Sequence, residues 1–214
     1  MKDVITIDGP SGSGKGTISK LLARKLGYNY LDTGALYRAV AWKVKEKRVD
    51  PDNDTDLKKL LENVKIYFKG DRIFVDGKDV SSDIRTAEIG ELSSQVSAIP
   101  AVRAALFSLQ REMGLQGKVV IEGRDTGTAI FPEAKNKFYL DADIEERARR
   151  RYEELKGKDP EATLEKTIED IRIRDTRDSS RESSPLMKTD DMVYIDSTHI
   201  SIDDVVAKIL DHLK

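Results

Sequence analysis

The chain has 214 residues, 38% of them hydrophobic and 36% charged, which suits one well-buried core with a small appended lobe and leaves no room for two large domains. Its 39 acidic residues against 37 basic ones, a net charge of -2, argue against a partner such as nucleic acid or an anionic membrane. Cysteine is absent and the only histidines are His199 and His212, so thiolate metal sites, cysteine nucleophiles, histidine cages and a histidine-centred triad drop out, leaving Lys, Arg, Asp, Glu and backbone to carry any chemistry.

The first run, "VITI" at 4–7, reads as a buried strand. It is too short for a signal-peptide core, and no run approaches the ~18 apolar residues of a membrane span, so a cytoplasmic location is expected. The strand runs into "DGPSGSGKGT", with four glycines between positions 9 and 16 and then a helical face of Ile18, Leu21, Leu22 and Leu26 stopped by Gly27. In such a strand, loop and helix the glycines let backbone N–H groups turn toward phosphate oxygens, and the helix N-terminus adds the positive end of its dipole. Gly9, Gly14 and Lys15 fill the G-x-x-x-x-G-K positions. Gly16 stands where Ser or Thr usually follows the lysine, and Thr17 offers its hydroxyl one place later. "GKGT" in this form is shared with nucleoside monophosphate kinases. Signalling GTPases fit less well, because no D-x-x-G occurs in the chain.

A second strand, "YNYL" at 28–31, leads to "DTGALYR" at 32–38, which reads as a small-residue turn entering a helix over about 35–47. Arg38 in that helix suits bidentate grip of a phosphate, or is a surface arginine on a capped helix. A helix near 56–64 precedes residues 64–82, where aromatic and β-branched runs broken by Gly-Asp and Asp-Gly predict the hairpins of a small antiparallel insert. Helices follow near 86–98 and 101–113. The third core strand, "VVIE" at 119–122, ends in "EGRDTGT", at the strand end where open α/β sheets bind ligands. Arg124 and Asp125 there are site residues or salt-bridged neighbours on a turn. After "KFYL" at 137–140 comes a helix over 143–156 with Arg147 and Arg151 four apart on one face, either converging on a substrate or solvated in Glu–Arg pairs. "KGKDP" at 156–160 reads as a mobile loop before a helix over 161–178. "MVYI" at 192–195 is the last strand, and a helix over 202–213 is opened by Ser201 with Asp203 and Asp204 in its first turn.

Six segments, "IDGPSGSGKGT", "LDTGALYR", "SSQVSAIPAVR", "IEGRDTGTAIFP", "FYLDADIEERARRR" and "RDTRDSSRESSPL", together resemble bacterial cytidylate kinases, in that family's order and over nearly the whole chain. The 64–82 insert is similar to the extra β segment of its longer members. The resemblance implies an α/β P-loop kinase fold: a five-stranded parallel sheet flanked by helices, a small antiparallel β insert in the acceptor-binding lobe, and a short helical lid. It implies one domain, with core 1–35, 115–145 and 185–214, lobe about 36–114 and lid about 146–175. The implied reaction is phosphorylation of CMP or dCMP by ATP with Mg2+, by a monomer. ATP falls to Gly9, Pro10, Ser11, Gly12, Ser13, Gly14, Lys15, Gly16 and Thr17, with Thr17 assisting the metal. Arg38, Arg124 and Arg181 fall to the acceptor phosphate, Arg174 and Asp178 lie near the sugar, and Thr33 completes the set. Lys15, Arg147 and Arg151 are the catalytic residues. Ser94, Arg103 and Asp125 fall on the cytosine edge. That makes chemical sense, since a carboxylate accepts from the N4 amine and an arginine donates to N3 and O2, whereas uracil sets an acceptor against the carboxylate. Glu122 and Thr33 stand where Asp and Ser also occur. A P-loop kinase for AMP, UMP or shikimate, or a non-catalytic nucleotide-binding module, are the alternatives.

Overall fold

Five apolar runs form one parallel sheet in the computed structural model, which describes residues 3–157 and 162–214. The strands are β1 (Val4–Asp8), β2 (Asn29–Asp32), β6 (Val119–Gly123), β7 (Asn136–Asp141) and β8 (Val193–Asp196), ordered β2-β6-β1-β7-β8. Every residue of β1 is buried, as befits a central strand covered on both faces. Parallel register brings the strand ends to one edge: Asp32 lies opposite Glu122, Asp8 opposite Gly123, and Asp141 opposite Asp196. Each of the five core strands thus ends in or beside a carboxylate at the edge where α/β sheets hold ligands.

The chain divides into two compact units, Met1–Asp32 with Arg111–Lys214, and Thr33–Gln110. The first contains the parallel sheet, α1 (Lys15–Leu26), α6 (Ile144–Leu155), α7 (Leu164–Ser180) and α8 (Ile202–Asp211). Ile5, Ile7, Leu22, Phe138, Leu140, Val206 and Ile209 lie in its core. Gly27 closes α1 in the left-handed conformation, its N–H on the Ala23 and Arg24 carbonyls. Ser201 caps α8 by accepting from the Asp204 N–H. Both ends agree with the sequence reading.

The second unit holds α2 (Thr33–Lys47), α3 (Asp54–Asn63), α4 (Ala87–Val96) and most of α5 (Pro100–Leu115), with a core around Leu36, Val40, Leu57, Ile84 and Val102. Its insert is a three-stranded antiparallel sheet of β3 (Ile66–Lys69), β4 (Arg72–Val75) and β5 (Lys78–Asp79). The turn residues Gly70, Asp76 and Gly77 all have positive φ, as the Gly-Asp and Asp-Gly signals require. Tyr67 stacks on Phe74 across the first hairpin.

Two local expectations change. No turn separates β2 from α2: the helix begins at Thr33 directly after Asp32, and Gly34 lies inside it rather than in a loop. The buried apolar face of Ala35, Leu36, Ala39 and Val40 outweighs the turn preference of Thr-Gly. The helix expected over 161–178 is described from Leu164 to Ser180, capped by Thr163. Of the loop expected at 156–160, residues 158–160 lie outside the described residues.

Candidate active site

The loop between β1 and α1 owes its shape to positions where a side chain does not fit. Gly12 has φ 78°, and a Cβ there would lie 2.8 Å from the Arg147 carbonyl oxygen and 3.0 Å from the Arg147 Cβ. A Cβ on Gly16 would lie 3.1 Å from Glu122 Oε1, so the departure from the usual Ser or Thr leaves room for that carboxylate beside the first turn of α1. Gly14 occupies the cap of α1 without a side-chain bond, which leaves the first amides of the helix for an incoming anion. Gly9, Pro10, Ser11 and Ser13 complete the loop, and Thr17 is exposed on α1.

Lys15 is buried, and its Nζ donates to the Pro10 carbonyl at 2.6 Å and to Ser13 Oγ at 3.1 Å. Burial, then the like charge of Arg124, pushes its ammonium down to about 7. Glu122 accepts from the Tyr30 hydroxyl, and burial followed by the neighbouring Asp32 raises its carboxyl above the usual range.

After β6 the chain makes a wide helical turn, Thr126–Ile130, whose first N–H groups need acceptors. Asp8, wholly buried at the end of β1, supplies them. It accepts from Thr126 N at 2.9 Å, Thr126 Oγ1 at 2.8 Å and Gly127 N at 2.7 Å. Burial raises its carboxyl to about 6 in spite of these bonds. Asp8 thereby ties the strand that carries the phosphate loop to the turn that carries Arg124 and Asp125.

Those two neighbours do not pair with each other. Arg124 Nε donates to Asp178 Oδ2 at 2.8 Å, and Arg181 Nη2 donates to Asp125 Oδ1 at 3.3 Å. Arg181 also lies 3.7 Å from Asp178 and donates from Nε to the Ser184 carbonyl at 2.7 Å. Burial works against the Asp178 charge, but Arg124 and Arg181 outweigh it and hold the carboxyl below its ordinary value. With Arg174 on α7, one unit thus gathers Lys15, Arg124, Asp125, Arg174, Asp178 and Arg181.

The α6 arginines have separate surroundings. Arg147 is buried, donating from Nη1 to the Ser11 carbonyl at 3.0 Å and to Asp175 Oδ2 at 2.5 Å. Arg150 donates to Glu146, to Ser197 Oγ at 3.1 Å and to the Ser197 carbonyl at 2.7 Å. Arg151 pairs with Glu154 in its own helix, at 2.7 Å. Arg147 and Arg151 thus share a helical spacing but no partner.

Thr33, Arg38, Ser94 and Arg103 belong to the other unit. Thr33 opens α2, Arg38 lies on its second turn, and Ser94 is buried on α4. Arg103, buried on α5, donates from Nη1 to the Ser97 carbonyl at 3.2 Å, with its guanidinium over the Tyr37 ring at 5.6 Å. Sequence reasoning singled out neither Asp8, Tyr30, Tyr37 nor Asp175. For Asp8, a signal existed in its place between a buried strand and the glycine loop.

No group of three or more His, Cys, Asp or Glu side chains suited to a metal occurs among the described residues. That is compatible with Mg2+, which takes one or two protein oxygens and completes its shell with water and substrate phosphates. The Thr17 hydroxyl on α1 and the adjacent Asp32 and Glu122 carboxylates are donors of that kind.

A strand, a glycine loop with a buried lysine, and paired arginines at the carboxyl edge of a parallel sheet are the working parts of a P-loop kinase. A cytidylate kinase family model matches residues 5–214. A cytidylate kinase of Geobacter sp. strain M21 is 48% identical over 207 residues, covering 95% of this chain and 89% of that protein. The cytidylate kinase of Clostridioides difficile strain 630 is 44% identical over 207 residues, covering 97% and 96%. The crystal structure of an uncharacterized protein from Eubacterium ventriosum shares the fold, with a TM-score of 0.56 at 12% identity over 100% of this chain and 98% of that one. The chain belongs to the cytidylate kinase family of phosphotransferases.

Proposed function

We propose that the chain transfers the γ-phosphoryl group of ATP to CMP or dCMP, giving CDP or dCDP and ADP, with its residues in the following roles. Lys15 and the loop amides from Gly12 to Gly16 hold the donor phosphates. The low pKa of Lys15 reflects burial beside Arg124, and an incoming phosphate supplies the anion that stabilises its charged form. Thr17 would help hold Mg2+ beside the Glu122 and Asp32 carboxylates, and the ion would offset the charge of the donor phosphates.

Arg38, Arg124 and Arg181 bind the acceptor phosphate, Arg174 and Asp178 act near its sugar, and Thr33 assists. Ser94, Arg103 and Asp125 read the cytosine edge. Arg147 and Arg151, from a lid over about 146–175, stabilise charge on the transferring group. A general base is not required, since the acceptor phosphate is already largely ionised near neutral pH. The protein works as a monomer in the cytoplasm, on small nucleotides rather than nucleic acid or membrane.

The observation that carries this reading is the cluster of buried charges in one unit. Lys15 opens α1 at the end of the donor loop, while Arg124 and Asp125, just after β6, bond to Asp178 and Arg181 at the end of α7. Arginines kept in place by buried carboxylates are preorganised for anions.

The test is coupled turnover with ATP and equal concentrations of CMP, dCMP, UMP and AMP. CMP and dCMP are expected to be the preferred acceptors. A preference for AMP would overturn the cytidine assignment, and ATP binding without ADP formation on any monophosphate would overturn catalysis.

A further inference from the structure

We propose that Asp175 is a positioning residue of the donor side: its carboxylate holds the tip of the phosphate loop and the Arg147 guanidinium together, so that ATP meets both already in place. The proposal rests on the donor-site reading above.

The Ser11 peptide is gripped on both sides. Its N–H donates to Asp175 Oδ1 at 3.3 Å, and its carbonyl accepts from Arg147 Nη1 at 3.0 Å. The same Nη1 donates to Asp175 Oδ2 at 2.5 Å, closing a ring of loop, α6 and α7. Arg147 Nε donates to the Ala142 carbonyl at 2.8 Å. Two of the three guanidinium nitrogens are therefore engaged, while Nη2 carries no bond to any described residue. Ionised partners make such bonds the stronger kind.

The loop tip needs this grip. Gly12, next to Ser11, is in the left-handed region, and glycine has the widest backbone freedom of any residue. A tip left to order itself on binding would weaken affinity by about 5- to 30-fold for each residue fixed.

Asp175 lies one turn before Asp178 on α7, so one helix holds the loop tip with one carboxylate and Arg124 with the next. The charge of Asp175 also acts on Arg124, but its bonds stay on the donor side. The bonds of Asp175 go to Ser11 and Arg147 on the donor side, while Asp178 and Asp125 hold Arg124 and Arg181 on the acceptor side.

The experiment compares full-length Asp175→Asn and Asp175→Ala with the unmodified chain in steady-state kinetics, in calorimetric ADP binding and in thermal unfolding. The KM for ATP and the Kd for ADP are expected to rise about tenfold or more, with the KM for CMP unchanged within twofold. A purely structural Asp175 would lower the melting midpoint and leave that split absent. Folded variants with a KM for ATP within twofold of the unmodified chain, or with equal rises for ATP and CMP, would overturn the proposal. Should both Asp175 variants fail to fold, Arg147→Lys keeps the charge but loses the planar fork, and the same ATP-selective rise must appear in it or the proposal falls. An unmodified chain that makes no CDP would defeat the reaction assignment alone, because the ADP calorimetry still decides the role of Asp175.

Discussion

Replacing Asp8 with Asn removes a negative charge that the fold keeps under three hydrogen bonds at the end of β1. Burial raises the Asp8 carboxyl from 3.8 to about 6, so the folded chain holds this proton more tightly than the unfolded chain does. The resulting stabilisation is fully present below the unfolded pKa and is lost as pH rises through about 6, a swing of about 3 kcal/mol. Asp8→Asn has no such swing. Its lost acceptor capacity adds an offset that does not vary with pH. Relative to the variant, the unmodified chain is therefore expected to lose about 2.4 kcal/mol between about pH 4 and pH 7. For a chain of this size that moves the difference in melting midpoints by roughly 5–10 °C. Urea unfolding of both chains at several pH values across this window measures it. A stability difference that stays constant throughout would refute the burial argument, and with it the idea that a desolvated carboxylate joins the phosphate loop to the Arg124 turn.

Three further outcomes are expected. Lys15→Ala should lower turnover by orders of magnitude with the fold intact by circular dichroism, and unchanged turnover would remove Lys15 from the mechanism. Gly12→Ala combines a left-handed alanine with a Cβ 2.8 Å from the Arg147 carbonyl. It should cost about 3 kcal/mol of stability in denaturant titration, and a loss under about 0.5 kcal/mol would show that the loop and α6 are loosely packed. Asp125→Asn replaces an acceptor by a group that also donates, so the ratio of kcat/KM for CMP over UMP should fall about tenfold or more. An unaltered ratio would move cytosine recognition elsewhere.

Much of the fold was legible in local chemistry. The run "VITI" against the glycine loop marks β1 and α1, Gly27 and Ser201 mark helix ends, and Asp76-Gly77 marks a hairpin, because each depends on a short stretch of backbone. The Thr33-Gly34 turn was misread because helix formation there is decided by a buried face that only tertiary packing supplies. Within "EERARRR" the residues look alike in sequence. Arg149 and Arg151 make the in-helix glutamate pairs that periodicity suggests, while Arg147 is buried against Ser11 and Asp175. Nothing in the spacing separates them, since the partners that set Arg147 apart come from elements far along the chain.

By itself the sequence determined the core strands and most of the helices, that a phosphate-binding loop follows the first strand, and that an antiparallel insert interrupts the pattern. Periodicity, turn residues and caps act over a few positions and need no distant partner. The tertiary structure alone decided the order β2-β6-β1-β7-β8. It also decided that Arg124 answers Asp178 rather than Asp125, that Asp8 caps a turn 118 residues away, and that Asp175 holds Ser11 from 164 residues away. Burial and charge pairing are properties of neighbours in space, and those neighbours exist only once the chain has folded.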